Sequence, residues 1–381
     1  MGAVMGKRAL RKLTGLPARA WRARRRLRLA LQERRPPAVA VPASPRPPGL
    51  PAVRVGIVGA GGMGRDQCAA LARTPDVELV AVADLRPEAL DRLAKQVQLP
   101  WTRFYRDAAE LLEKETPDVL SVATTAPSHV ALARMAIEAG VRRVVVEKPL
   151  STSVASAREL ADLAEQAGAL VAVDHGRRWS PEYRSIRAYV GRGHIGSIRH
   201  ISVSGGPGGM GMTGTHFFDL ARFLTGTEAE WVTGHLRESG RPNPRGHQFH
   251  DPEGYVLAGL RGGIRLFVDL SGDVRREDRL VVLQGEWGRI VVDERARVWR
   301  AATSFSPELT FPFRGTLSPG GLFALAVREL TGEPPTVACG VRDGLAAAEI
   351  AIAAHLSQSR DHRPVAVPLE GADVEFEVAF A

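Results

Sequence analysis

A glycine-rich turn between two apolar segments is the feature of this chain whose chemistry is clearest. The predicted strand Val53–Val58 runs into Gly59, Gly61 and Gly64, in the spacing G-x-G-x-x-G, and a helical stretch follows. Gly59 allows the tight turn, Gly61 leaves room for a pyrophosphate, and Gly64 lets helix and strand pack closely. A bare motif of this kind also occurs in ordinary turns, but the flanking segments favour dinucleotide binding.

The residues around this turn indicate which dinucleotide is bound. Backbone N–H groups at the helix start, at Gly62 and Met63, are predicted to meet the phosphate charge. Asp84 ends the second predicted strand, 20 positions after Gly64, where a carboxylate can bind both ribose hydroxyls of an adenosine. Because Asp84 repels the extra phosphate of NADP, the sequence favours NAD. Arg86 partly offsets that repulsion and weakens the preference.

The alternation of short apolar strands and helices beyond Asp84 predicts a doubly wound parallel sheet. From about Ile198 the pattern changes to longer strands joined by glycine or charged turns, which predicts a mostly antiparallel sheet with helices on one face. The predicted fold class is therefore α/β, with an N-terminal Rossmann domain and a C-terminal α/β domain. The predicted division is an arm at 1–52, a dinucleotide-binding domain at 53–176 and a substrate and oligomerisation domain at 177–381.

Charge is distributed very unevenly along the 381 residues. Residues 1–50 hold 13 of the 51 Lys and Arg residues and one of the 42 acidic residues, so their formal charge is +12 and that of the remainder is −3. We therefore expect no nucleic-acid surface on the folded body. Two cysteines, with no C-x-x-C, fit a reducing compartment, and no apolar run is long enough for a membrane span. A cytoplasmic location is predicted.

The basic arm itself has three open interpretations. Leucines recur at a spacing compatible with a broken amphipathic helix over 5–33, and residues 36–51 contain seven prolines, as in an extended linker. The arm is either a solvated segment, a reversible contact with an acidic membrane surface or acidic partner, or a targeting peptide.

Four motifs, in this order, carry a family likeness. They are Gly59–Gly64, the loop Thr125–His129, the tripeptide Glu147-Lys148-Pro149 and the segment Gly214–Asp219. Together they resemble the glucose–fructose oxidoreductase and inositol dehydrogenase (Gfo/Idh/MocA) family over roughly residues 53–369. The resemblance implies an NAD(P)-dependent oxidoreductase acting on a sugar, cyclitol or nucleotide sugar, with a homodimer or homotetramer formed through the open sheet.

The resemblance also implies the catalytic pair, Lys148 and His216, facing the nicotinamide. Lys148 follows a buried predicted strand at the carboxyl end of the sheet, where its ammonium would stabilise alkoxide charge. His216 opens a predicted helix, and an imidazole titrates near neutrality, so it suits an acid or base. Asp219, three residues on, would orient the ring or accept a helix N–H. Many family members have an acid four residues before the histidine, and Met212 stands there in this chain.

The remaining site residues are assigned either to the cofactor or to the substrate. Thr125, His129, Glu147 and Arg178 are assigned to the cofactor side, with an inter-domain ion pair as the alternative for Arg178. Met212, Thr215, Asp219 and His247 are assigned to the substrate. The run 247–251 has metal-ligand types, but no matching cluster, so no metal is predicted. Two other functions stay open: NAD-assisted glycoside cleavage and a non-catalytic nucleotide-sensing regulator.

Overall fold

The computed structural model describes residues 52–206, 208–238, 243–272, 279–315 and 318–381. The predictions for the basic arm therefore concern residues that, apart from residue 52, lie outside the described part of the chain. In that part, no helix combines the length and apolar character that crossing a bilayer requires.

The first sheet of the described chain has six strands, all parallel, in the order β3-β2-β1-β4-β5-β6. The strands are β1 Val53–Val58, β2 Val77–Ala83, β3 Arg103–Tyr105, β4 Val119–Val122, β5 Arg143–Val146 and β6 Leu170–Val173. The helices between them are α1 Gly62–Leu71, α2 Pro87–Gln96, α3 Ala108–Glu115, α4 Ala126–Glu138 and α5 Val154–Gln166. The predicted doubly wound Rossmann sheet is confirmed, and its order reverses between β1 and β4, where such folds bind ligands.

Local sequence explains these elements well. Strands β4 and β5 are almost wholly apolar because helices cover both faces of a parallel sheet. Asp107 caps α3 by accepting the N–H of Ala109 at 2.6 Å, and Ser153 caps α5 by accepting the N–H of Ser156 at 3.3 Å. The short strand β3 was not predicted, since three residues carry too little periodicity.

The second sheet has nine strands within the described residues, in the order β14-β13-β12-β11-β7-β10-β9-β8-β15. All neighbours are antiparallel except β7 and β10. The strands are β7 Ile198–Ser204, β8 Ala229–Arg237, β9 Glu253–Leu260, β10 Ile264–Asp269, β11 Leu280–Gly285, β12 Gly288–Asp293, β13 Val298–Thr303, β14 Ser306–Pro312 and β15 Val365–Ala366. The helices are α6 Pro181–Gly191, α7 Thr215–Thr225, α8 Pro319–Leu330 and α9 Val341–Ser359. The predicted mostly antiparallel sheet is confirmed, whereas α6, β8, β13 and β14 were missed.

Helices cover one face of this second sheet and leave the other face open. Val232, Val256 and Leu266 point inward and are fully buried. On the alternate positions, Tyr255 and Phe267 are about 40% exposed and their rings lie 5.8 Å apart. The alternation follows from the two-residue period of a strand.

The chain returns to the first sheet near its end. Helix α8 packs against α1, where a Cβ on Gly320 would lie 2.3 Å from the Asp66 carbonyl oxygen, so only glycine allows this approach. Phe323 and Val327 of α8 are buried in the first hydrophobic core. The backbone at Cys339 then accepts the N–H of Val173, at the end of β6. The division at residue 176 remains a prediction, but the segment 319–340 contributes to the core of the Rossmann sheet.

Candidate active site

The glycine-rich turn between β1 and α1 has the shape that a pyrophosphate requires. Gly59 has φ +107°, and a Cβ there would meet the Ala123 carbonyl oxygen at 2.5 Å. A Cβ on Gly64 would lie 1.8 Å from the Gly59 carbonyl oxygen. By contrast, a Cβ on Gly61 or Gly62 would meet nothing within 4 Å. The backbone therefore packs tightly against Gly59 and Gly64, whereas no protein atom fills the space beside Gly61 and Gly62. No side chain caps the start of α1, so its N–H groups are available to an anion.

Asp84 joins the end of β2 to this turn. Its Oδ2 accepts the N–H of Ala60 at 2.8 Å, and its Oδ1 accepts the N–H of Arg86 at 2.9 Å. The Arg86 side chain is 66% exposed, with Nε 3.4 Å from Oδ1. The carboxylate thus lies beside the open glycines, in the place where a ribose would follow a bound pyrophosphate.

Glu147 anchors the turn that follows β5 in a buried polar network. Gln67 donates its Nε2–H to Glu147 Oε1 at 3.0 Å and accepts the Ser121 hydroxyl at 2.8 Å. Asp174 shares a hydrogen bond with Glu147. Burial raises the pKa of Glu147, and burial together with the Glu147 carboxylate raises the pKa of Asp174 well above its ordinary value. The two carboxyl groups are therefore coupled, and Glu147 lies beneath the surface as a support of this turn.

Lys148 projects from the same turn toward the second lobe. Its Nζ donates a hydrogen bond to the Met212 carbonyl oxygen at 2.9 Å, and the residue is 7% exposed. Burial lowers the pKa of Lys148, and the neighbouring Glu147 carboxylate opposes this shift. The ammonium has two further N–H groups, which are available to a substrate oxygen.

His216 lies one helical turn beyond Met212, at the start of α7. Its ring meets His175 edge-on, with centroids 5.6 Å apart, and Nδ1 has no hydrogen-bond partner among the described residues. Burial, reinforced by the positive charges of Lys148 and Arg177, holds the pKa of His216 well below its ordinary value. The imidazole is therefore neutral near pH 7 and can accept a proton. The structure brings Lys148 and His216 to the same region, as expected.

His129 and Thr125 lie at the start of α4, beside the end of β4. His129 is completely buried, and its Nδ1–H donates to the Pro149 carbonyl oxygen at 2.8 Å. Burial lowers the pKa of His129 to about 4. Its ring supports the turn that carries Lys148, and its contact with a bound cofactor remains a prediction. Thr125 is half-buried at the N-cap of α4.

Arg178 and Asp219 form a buried ion pair. The Arg178 guanidinium binds both carboxylate oxygens of Asp219 at 2.7–3.0 Å and also contacts Asp343 at 3.0 Å. Asp219 thus pairs with Arg178, and among the described residues no hydrogen bond joins it to His216. The geometry favours the ion-pair alternative for Arg178 and removes Asp219 from the substrate surface.

Two other residues predicted to bind the substrate, Thr215 and His247, lie in different environments in the structure. Thr215 is fully buried and donates its hydroxyl to the Gly211 carbonyl oxygen at 2.8 Å, so it stabilises the turn instead of facing a ligand. His247 is exposed on the loop 243–251. Its role in binding a substrate remains a prediction.

Met212 lies in a single π-helical turn, Met210–Gly214, immediately before α7. Its carbonyl oxygen accepts Lys148, and its N–H donates to Asp251 Oδ2 at 2.8 Å. Turns of this kind are frequent at functional sites. Sequence reasoning placed Asp251 only in a run of metal-ligand types, so its contact with this turn was missed.

A second buried cluster supports the wall beside His216 and was also missed. Glu294, at the end of β12, accepts two hydrogen bonds from Arg177 at 2.7 and 2.8 Å and one from the Tyr183 hydroxyl at 2.6 Å. Arg177 also lies over the Phe217 ring, 4.6 Å from its centroid. No local signal reveals this pairing, because Arg177 and Glu294 are far apart in sequence.

Among the described residues, one group of three side chains has metal-ligand types close together. His175, Asp219 and Cys339 have their ligand atoms within 4.8 Å of one another. Asp219 is already neutralised by Arg178 and faces Arg222 at 3.6 Å. Two guanidinium groups beside this cluster make a poor setting for a cation.

The sequence match to a known protein family covers the domain that contains the first sheet. Residues 53–175 match the profile of an oxidoreductase family with an NAD-binding Rossmann fold. The chain is 31% identical to D-apiose dehydrogenase from Paraburkholderia graminis over 186 residues, which are 45% of this chain and 49% of that protein. It is 30% identical to inositol 2-dehydrogenase from Acidothermus cellulolyticus over 232 residues, or 58% of this chain and 66% of the relative. The matched region of the first relatives is about half of their length.

Solved structures resemble the whole two-lobed body. A levoglucosan dehydrogenase in complex with NADH and levoglucosan superposes with a TM-score of 0.73 at 20% identity, covering 84% of this chain and all of that one. An oxidoreductase from Agrobacterium radiobacter in complex with NAD+, L-tartaric acid and magnesium gives a TM-score of 0.72 at 20% identity, covering 82% of this chain and 98% of that one. At this identity the likeness establishes the fold.

Proposed function

Because this chain belongs to the Gfo/Idh/MocA family of oxidoreductases, we propose that it is an NAD-dependent oxidoreductase of a sugar, cyclitol or nucleotide sugar. The observation that carries the proposal is the meeting of a lysine and a neutral histidine near the carboxyl ends of the parallel strands. Lys148 hydrogen-bonds the turn that leads directly into His216. The names of relatives, which include D-apiose and inositol dehydrogenases, support the substrate class.

The residues present fit a bound NAD. The open glycines Gly61 and Gly62 and the uncapped start of α1 suit a pyrophosphate, and the Asp84 carboxylate suits the adenosine ribose. When bound, nicotinamide supplies the hydride acceptor or donor. The protein supplies orientation, exclusion of water and proton transfer.

In the proposed reaction, Lys148 donates a hydrogen bond to the reacting oxygen of the substrate and stabilises negative charge as the hydroxyl proton leaves. His216, neutral because burial and nearby cations lower its pKa, accepts that proton. In the reverse direction the same imidazole returns the proton to the carbonyl oxygen. The Glu147 network and His129 hold the lysine turn rigid behind the site.

Turnover with a defined panel of substrates tests this proposal. Full-length protein is mixed with NAD or NADP and a series of aldoses, cyclitols and nucleotide sugars, and reduced nicotinamide is followed by its absorbance. We expect reduction of NAD with at least one member of the panel. Absence of turnover in both directions would contradict the proposal, and release of an aglycone without net reduction would support glycoside cleavage instead.

The preference for NAD depends on Asp84. Asp84→Ser keeps an acceptor for the Ala60 N–H but removes the charge that repels the extra phosphate of NADP. Loss of charge-assisted hydrogen bonds to a ribose, roughly 1.5–3 kcal/mol, should lower kcat/KM for NAD by about 10- to 100-fold. The activity ratio of NADP to NAD should rise, as measured by initial rates with each cofactor. Asp91→Ser, on the exposed side of α2, is the control, and an unchanged ratio in Asp84→Ser would refute the assignment.

The open face of the second sheet is the surface proposed for self-association. Tyr255, Leu257 and Phe267 are 37–40% exposed there and form an apolar stripe on neighbouring strands. A second copy of the chain would cover this stripe. Phe267→Glu should therefore shift the protein to smaller species in sedimentation velocity, whereas Phe104→Glu, equally exposed on β3 of the first sheet, should not. Identical sedimentation of wild type and Phe267→Glu would contradict this interface.

A further inference from the structure

The position where many family members have an acid before the histidine is Met212 in this chain, yet a carboxylate reaches the same turn from another loop. Asp251 Oδ1 accepts the N–H of Gly211 at 2.7 Å, and Oδ2 accepts the N–H of Met212 at 2.8 Å. The next atom group along the turn, the Met212 carbonyl, accepts the Lys148 ammonium at 2.9 Å. Met212 therefore links Asp251 to Lys148, because its N–H binds the carboxylate and its carbonyl oxygen binds the ammonium.

The glycine-rich segment before the turn is shaped around this carboxylate. A Cβ on Gly209 would lie 2.0 Å from the Asp251 carboxyl carbon. Gly209 has φ −73° and ψ 154°, which any residue adopts, so the glycine is needed for space and not for backbone conformation. The contact indicates close packing around an acid.

Asp251 also contributes to the electrostatic setting of Lys148. Its negative charge favours the ammonium form, whereas the positive charge of Arg245, on the same loop, opposes it. Arg245 is fixed by a hydrogen bond to the Ala381 carbonyl oxygen at 3.0 Å. The other titratable groups that interact electrostatically with Lys148 are Glu147, Asp174, His129, His175 and His216.

We propose that Asp251 is a positioning residue that holds the turn Met210–Gly214 against Lys148 and supplies the negative charge that position 212 lacks. The role in catalysis rests on the oxidoreductase function proposed above. The contact with Lys148 does not, because it is a property of the protein without substrate. Two backbone N–H groups at the start of a helix are satisfied by a carboxylate, and the lysine receives a fixed carbonyl partner in return.

Chemical labelling of Lys148 tests the contact independently of turnover. Full-length protein is treated with trace acetic anhydride over a pH series, and acetylation of Lys148 relative to the exposed Lys95 is measured by peptide mass spectrometry. Because an opposite charge favours the protonated amine, Asp251→Asn should bring labelling of Lys148 to a pH about one unit lower. Arg245→Gln should shift it in the opposite direction, which mere loosening of the loop would not do.

Kinetics test the consequence for catalysis. In Asp251→Asn we expect kcat to fall by about 10-fold through misplacement of Lys148, with the alkaline limb of the pH–rate profile moved to lower pH. The matched control is Asp107→Asn, another carboxylate that accepts two N–H groups at a helix start, far from any lysine contact of this kind. Gly209→Ala displaces the Asp251 carboxylate without removing its charge and should also lower kcat.

The outcomes are distinguishable. Labelling of Lys148 that is unchanged in both Asp251→Asn and Arg245→Gln would overturn the proposal. If Asp251→Asn fails to fold, Arg245→Gln and Gly209→Ala decide by the same measurements. Shifted labelling in a protein that turns over no substrate would retain the Asp251–Lys148 contact and refute the proposed function alone.

Discussion

Replacing Lys148 by methionine should lower kcat by about 10³-fold while NAD affinity changes by less than about twofold. Methionine is similar in length and flexibility, so it fills the space of the lysine stem. It removes the ammonium that would stabilise the alkoxide and the hydrogen bond to the Met212 carbonyl oxygen. Steady-state rates give kcat, and quenching of protein fluorescence by NAD gives the cofactor affinity.

The pH dependence provides a second signature of the same residue. Lys148 must be protonated to carry the positive charge that stabilises the alkoxide, and burial lowers its pKa. Wild-type activity should therefore fall as the pH rises through that lowered pKa, and this alkaline limb should be absent from Lys148→Met. Lys95→Met, an exposed position, serves as the control. Wild-type rates in Lys148→Met would refute the role of the lysine.

Adding one methyl group to Gly61 should weaken NAD binding by about 10- to 100-fold without affecting the fold. Nothing in the protein lies within 4 Å of the added Cβ, and the backbone of Gly61, with φ −69°, accepts alanine. The methyl group would occupy the space left for the pyrophosphate. Isothermal titration with NAD measures the affinity, and thermal unfolding without NAD verifies the fold.

Two glycine variants bracket this result. Gly191→Ala, at the end of α6, also has open space around the added Cβ and should leave both affinity and stability unchanged. Gly64→Ala places a Cβ 1.8 Å from a backbone carbonyl oxygen, so it should lower the unfolding temperature of the protein without NAD. If Gly61→Ala bound NAD like the wild type, the glycine turn would not be the pyrophosphate site.

The contacts made by the proposed catalytic residues could not be predicted from the sequence. Lys148 and His216 were identified by the family resemblance, and their predicted positions, after a buried strand and at a helix start, fitted that role. Asp251 binds Met212, which is 39 residues away in sequence, and Arg178 binds Asp219, which is 41 residues away. Spacing along a helix suggested that Asp219 would orient His216, but in the structure this carboxylate binds the guanidinium of Arg178, which comes from another element.

The sequence by itself determined the Rossmann unit, because its signals are local: the glycines, the apolar strands and the terminal Asp84 lie within about 30 residues and each has a conformational reason. The strand pattern also predicted that a mostly antiparallel sheet follows. Only the tertiary structure decided that His129 supports the lysine turn, that α8 returns to the first core, and that Asp251 reaches Met212. Those contacts depend on how distant segments of the chain come together in space. A buried ionised side chain pairs with an opposite charge or a hydrogen-bonding group that the fold places beside it, and local sequence does not specify that partner.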